Sequence, residues 1–146
     1  DYLKGYSDAM MLSGIVLSGG NAAWRGKELP DGVLGGILTA NNIARLDLSG
    51  TEMVVLSACQ SGQGKATSEG LYGLQRAFKK AGVGTMVMAL WSVSDKVATE
   101  FMTAFYEQLA SKQCKWNKRK AFENAKSIIR EKYPDPYYWA AFVMLD

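Results

Sequence analysis

The residues best able to do chemistry lie in one stretch, Leu56-Ser57-Ala58-Cys59-Gln60-Ser61-Gly62-Gln63-Gly64. A cysteine thiolate is a nucleophile. Met53-Val54-Val55-Leu56, a short apolar run with β-branched residues, predicts a buried strand just before it. Behind it, Gly62, Gly64 and the polar residues Lys65 to Glu69 predict a loop without an apolar anchor. Cys59 then sits where a strand runs out into a loop, and in open α/β sheets that carboxyl end is where ligands meet the protein. The competing reading is that Cys59 is a small hydrophobe buried at a strand end, as free cysteines often are.

Trp91 and Asp95 belong to a second such place. Thr85 to Trp91 is another continuous apolar run, and Ser92-Val93-Ser94-Asp95 leads into a helical pattern. If the two strands are parallel, Trp91 and Asp95 border the same crevice as Cys59 and shape a substrate pocket. The structural alternative makes Asp95 an N-cap residue and Trp91 a filler of the sheet edge. Both roles are compatible.

Composition narrows the chemistry. The chain has 146 residues, no histidine, two cysteines and a formal net charge of +3. Without histidine, any Cys-His or Ser-His catalysis must take its imidazole from outside this chain, and a zinc site built on histidine is excluded. The reading needs no cofactor. The small net charge gives no reason to expect a nucleic-acid or membrane partner, and no apolar run approaches the roughly 18 residues of a membrane span. Two distant cysteines fit a reducing, cytoplasmic setting better than a disulfide scaffold. The start, Asp1-Tyr2-Leu3-Lys4, has no initiator Met and no signal-peptide character, so the chain reads as part of something longer.

The remaining elements alternate. Gly14 to Ser18 predicts a strand, and Ala22 to Gly36 a loop or hairpin. A short helix is expected over 39–46 with Thr39 able to cap it, then the strand 52–58. Leu71, Leu74, Ala77, Phe78 and Ala81 make one helical face that Gly82 can end. Val97, Phe101, Phe105 and Leu109 form the face of the next helix. Ala121, Phe122, Ala125, Ile128 and Ile129 form that of the last, with Asn117 as its cap. Pro134-Asp135-Pro136 stops it, and Tyr138 to Leu145 predicts a final buried strand. This order predicts an α/β fold with a mostly parallel sheet flanked by helices on both faces.

Other motifs fail or read as surface. A Walker loop needs Ser or Thr where Ala66 stands and a glycine where Cys59 stands. Ser57 and Ser61 lack the glycine spacing of a nucleophile elbow. Cys114, between Lys112 and Lys115, reads as a surface thiol without a role. Lys115, Lys118, Arg119 and Lys120 read as a solvated helix start.

Six blocks in order carry a resemblance. They are Ser13-Gly14-Ile15-Val16-Leu17, Leu38-Thr39-Ala40, Val54 through Gly62, Gly73 through Phe78, Ala89 through Asp95, and Tyr138-Trp139-Ala140-Ala141-Phe142. Over residues 13–144 the chain resembles the CHAT domain, a caspase-like peptidase domain related to caspases and separase and often fused to tetratricopeptide repeats. The resemblance implies a cysteine endopeptidase with a Cys-His dyad acting on a protein or peptide, with Cys59 as its nucleophile. The family's His-Gly falls upstream of the Ser13-Gly14 block. Residues 1–146 then correspond to the C-terminal portion of a single CHAT domain, with the early strands and the His-Gly segment absent and the piece inactive alone. The alternative function is a non-catalytic pseudo-peptidase that signals through binding.

Overall fold

A computed structural model describes residues 13–18, 20–28, 35–56 and 68–146. The elements are β1 (Gly14–Val16), α1 (Gly20–Trp24), β2 (Ile37–Thr39), α2 (Ala40–Ile43), β3 (Met53–Leu56), α3 (Ser68–Lys80), β4 (Thr85–Ala89), α4 (Asp95–Ala110), α5 (Lys118–Lys132), α6 (Pro136–Trp139) and β5 (Phe142–Leu145). The α/β class expected from the alternation is what the structure shows. The chain divides into two compact units, residues 1–52 with 64–84, and residues 53–63 with 85–146.

In the first unit β1 and β2 pair antiparallel, with Ile15 opposite Leu38. Neither the strand at 37–39 nor the helix at 20–24 is expected from the sequence, because both runs are too short for a period to show. Thr39 caps α2, accepting from Asn42 N, while Asn42 Oδ1 accepts from Thr39 N. This reciprocal arrangement satisfies two backbone donors that a helix start otherwise leaves open. Helix α2 packs on α3, and Ala40, Ile43, Ala77, Phe78 and Ala81 are buried. Gly82 ends α3 as its position suggested. Its φ is +100°, Gly82 N donates to Lys79 O and Val83 N to Phe78 O. These are the two hydrogen bonds of a Schellman ending. A Cβ at Gly82 would lie 2.9 Å from Ser49 Cα, so the turn requires glycine twice over.

In the second unit β3 and β4 are parallel, with Met53 opposite Thr85 and Leu56 opposite Met88. β5 is antiparallel to β4, with Phe142 opposite Ala89 and Leu145 opposite Met86. The sheet is therefore mixed. Helices α4 and α5 run antiparallel to each other. Glu100 near the start of α4 meets Lys132 at the end of α5, and Gln108 near the end of α4 meets Asn124. With two antiparallel helices between β4 and β5 the chain reverses three times, which brings β5 back antiparallel. The expected strand over 138–145 is shorter than predicted, because Asp135 and Pro136 start a helical turn instead. Asp135 Oδ1 accepts from Tyr137 N, with Pro136 at the first helical position.

The core of this unit is aromatic. Phe101, Phe105, Phe122 and Phe142 are each at most 2% exposed. The Phe101 and Phe142 rings stack with centroids 3.8 Å apart, and Phe122 meets Phe101 edge-on at 5.5 Å. Val87 and Met144 join this cluster from the sheet. Met86 and Met88 alternate with Val87 and are equally buried, so both faces of β4 are dry, which accounts for its unbroken apolar run. Asn117 caps α5 through Lys120 N as its position suggested. Ile128, assigned to the apolar face, is instead 42% exposed.

Cys114 is not a surface thiol: it is 3% exposed. The turn between α4 and α5 folds inward, with Lys115 and Trp116 at positive φ. Asn124 Nδ2 donates to Gln108 Oε1 at 2.9 Å and to Cys114 Sγ at 3.5 Å. The flanking lysines suggested exposure, but alternation of burial within a turn is invisible to local composition.

Two outcomes follow for stability. Phe101→Ala should cost about 3–5 kcal/mol, as expected for a fully buried aromatic, measured as a drop in urea-unfolding free energy. The second concerns Glu100, whose carboxylate is held below its ordinary value of 4.5 chiefly by the hydrogen bond from Lys132 and further by Tyr133. A depressed carboxylate contributes stability above its unfolded value and loses it as pH falls through the folded one. Glu100→Gln should lower the urea midpoint slightly at neutral pH, and the gap to the parent should close on acidification below pH 4.5. The effect is small because the pair is partly solvated.

Candidate functional site

The chain leaves β3 at Leu56, beside Met88 of β4. Because the two strands are parallel, β4 leaves from the same end one residue later and runs on to Trp91. This carboxyl edge is the physical reason to look here for a site. Cys59, the expected nucleophile, lies three residues beyond Leu56 and outside the described residues, as do Ser57 and Gln60 to Gly64.

Trp91 and Asp95 are described. The Trp91 indole is half-buried, and Nε1 donates to Tyr137 O at 2.9 Å. The Trp91 and Tyr137 rings lie 6.4 Å apart, and Tyr137 Oη donates to Ser92 O at 2.6 Å. The loop after β4 and the turn α6 therefore hold each other through two crossed hydrogen bonds. Trp91 does fill space beside the sheet, but it is also a rigid wall on the carboxyl edge.

Asp95 is exposed and opens α4, though not as its cap. Ser94 is the cap: its Oγ accepts from Val97 N. The serine one residue earlier reaches the third helical N–H, leaving Asp95 as the first helical residue. Its carboxylate complements the positive end of the helix dipole there. Among the described residues no hydrogen bond joins Trp91 to Asp95, so the structure brings Trp91 to Tyr137 and leaves Asp95 facing solvent. Tyr137 was missed at the level of sequence. Its signal was Asp135-Pro136, a cap followed by proline at the first helical position, which places the next residue on a fixed turn.

No three His, Cys, Asp or Glu side chains cluster as a metal site among the described residues. What the edge offers is a wall of Trp91 and Tyr137, a polar loop with exposed Ser92 and Ser94, and a carboxylate at Asp95. This surface joins two aromatic rings to polar side chains and carries no imidazole.

The family model described as the CHAT domain matches residues 5–146. Tetratricopeptide repeat protein 28 of Mus musculus is 33% identical over 114 residues, and that of Homo sapiens 29% over 111. Each alignment covers 75% of this chain but 4% of the relative, so the chain spans a small part of these proteins' length. No solved structure matches.

The crossed Trp91–Tyr137 bonds can be tested directly. Trp91→Phe and Tyr137→Phe should each destabilise the protein by about 0.5–1.5 kcal/mol, the usual net worth of one hydrogen bond. Because they secure the same loop, the double variant should lose less than the sum in urea unfolding.

Proposed function

The chain belongs to the CHAT domain family, and on that premise we propose that it carries the nucleophile half of a caspase-like cysteine peptidase, with Cys59 as the attacking thiolate. The observation that carries this reading is the parallel pairing of β3 with β4 immediately before Ser57-Ala58-Cys59-Gln60-Ser61-Gly62. It supports a thiol delivered to the carboxyl edge of the sheet rather than into the middle of an element. Attack of the Cys59 sulfur on a peptide carbonyl forms a tetrahedral oxyanion. Collapse breaks the C–N bond and leaves an acyl-enzyme that water then hydrolyses. Backbone N–H groups of the small residues after Cys59 suit the oxyanion. An imidazole must take the thiol proton and return it to the leaving amine. The chain has no histidine, so in this reading the imidazole and its strand come from polypeptide outside these 146 residues. The proton transfer it performs is typically worth about 10²–10⁴-fold in rate. Trp91 and Asp95 act as substrate-binding residues on the edge. Tetratricopeptide repeats, named in the relatives, are the companion module, and a reducing compartment such as the cytoplasm keeps the thiol free.

A second reading has one observation in its favour. The absence of histidine from all 146 residues also fits a pseudo-peptidase that binds without cutting.

Iodoacetamide labelling of the full-length protein separates the two. Cys59 should label fast at neutral pH, and slowly once the His of an upstream His-Gly is replaced by Ala. Buried Cys114 should label only after denaturation and serves as the internal reference. Cys59→Ala should abolish cleavage of a peptide library. Slow labelling of Cys59 whatever residue occupies the His position, or cleavage that survives Cys59→Ala, sinks the peptidase reading.

A further inference from the structure

One face of α5 carries Glu123, Lys126, Ser127 and Arg130, spaced to fall on adjacent turns. With Trp139 of α6 they line an open notch of about 200 Å³. All five residues belong to the second unit. The notch lies beside β5, at the opposite edge of the three-stranded sheet from β3.

Two cations converge on one indole here. Lys126 Nζ lies 5.8 Å from the Trp139 ring centre and 5.7 Å from that of Phe122. The Arg130 guanidinium carbon is 5.8 Å from Trp139. Lys126 is held in place, since its Nζ also donates to Phe142 O at 3.1 Å. That bond uses one of three ammonium donors. Arg130 makes no hydrogen bond or ion pair to a protein oxygen among the described residues, so its planar fork of five donors is open to a ligand. Ser127, between them in sequence, adds a hydroxyl. Glu123 is the one acid in the lining and stands at the far end of the row, a turn before Lys126. The balance of the notch is positive, and its positive end is the Arg130 end.

The geometry points to a binding site for an acidic polypeptide segment. Its carboxylate or phosphate lies between Arg130 and Lys126, and a neighbouring apolar residue rests on the Trp139 ring. Arg130 supplies a bidentate contact, which suits a planar or tetrahedral oxyanion. Trp139 is half-buried and gives the chain bearing that anion an apolar wall, which a free inorganic ion would not use. Glu123 repels a second acid at its own end, away from Arg130, and so favours one direction along the row. The site stands on its own residues and does not require Cys59 to be a nucleophile.

Fluorescence anisotropy on the full-length protein tests this. The probes are three labelled peptides of one sequence, with Leu before a central Glu, Gln or phosphoserine. The Glu and phosphoserine peptides should bind at least about tenfold more tightly than the Gln peptide, as loss of a charge-assisted contact predicts. Binding should weaken as salt rises. Arg130→Gln should remove about the same factor with an unchanged circular dichroism spectrum and melting temperature, because Arg130 is exposed. Arg130→Lys should recover only part of it. Replacing the Leu by Gly should weaken binding in the parent but not in Trp139→Leu, whose fold is checked in the same way. Equal binding of the Glu and Gln peptides overturns the proposal, as does binding indifferent to Arg130→Gln. Inorganic phosphate displacing the peptides at their own dissociation constant would overturn the polypeptide assignment.

Discussion

The stack of Phe101 on Phe142 is the contact on which the second unit depends. Phe101 comes from the middle of α4, and Phe142 is the first residue of β5. Phe142 also sits opposite Ala89 in the ladder with β4. One ring pair thus joins a helix to the sheet at the carboxyl end of β4. Phe122 closes the set from α5 against Phe101. Burial of this much aromatic surface is the largest stabilising term available here, and it fixes where the chain after Ala89 must go.

Everything at the edge is placed by that join. The antiparallel α4 and α5 return the chain so that α6 arrives next to the loop after β4. Trp91 and Tyr137 then meet, Trp91 Nε1 donating to Tyr137 O and Tyr137 Oη to Ser92 O. The same return sets Trp139 beside Lys126 and Arg130, because Lys126 reaches the Phe142 carbonyl. The aromatic wall of Trp91 and Tyr137 and the basic notch therefore share one cause. The two are arranged around residues 137–142, the segment that runs from the helical turn α6 into the first residue of β5.

Local signals were legible where a single residue type does a single job. Thr39 and Asn117 cap helices because a short oxygen-bearing side chain reaches the third N–H. Gly82 ends α3 because only glycine adopts its φ without strain. The faces Val97–Phe101–Phe105 and Ala121–Phe122–Ala125 were readable from the helical period. The misreadings have equally particular causes. Ser94 and Asp95 are both good caps by residue type, and it is Ser94 whose hydroxyl reaches Val97 N. Ile128 follows the apolar pattern of α5, yet it lies beyond the arc that α4 covers. Cys114 looks exposed between lysines, yet Gln108 and Asn124 fold over it.

The residue order alone settled that this is an α/β chain of the CHAT family, that Cys59 follows a strand, and that these 146 residues contain no histidine. Those facts are local: they depend on periodicity, caps and the identity of single residues. Only the tertiary structure decided that β5 runs antiparallel, that Trp91 is bound to Tyr137, and that Lys126, Arg130 and Trp139 share a notch. Each of these joins residues far apart in the chain. Their meeting depends on how two helices reverse direction and pack, which no local pattern specifies.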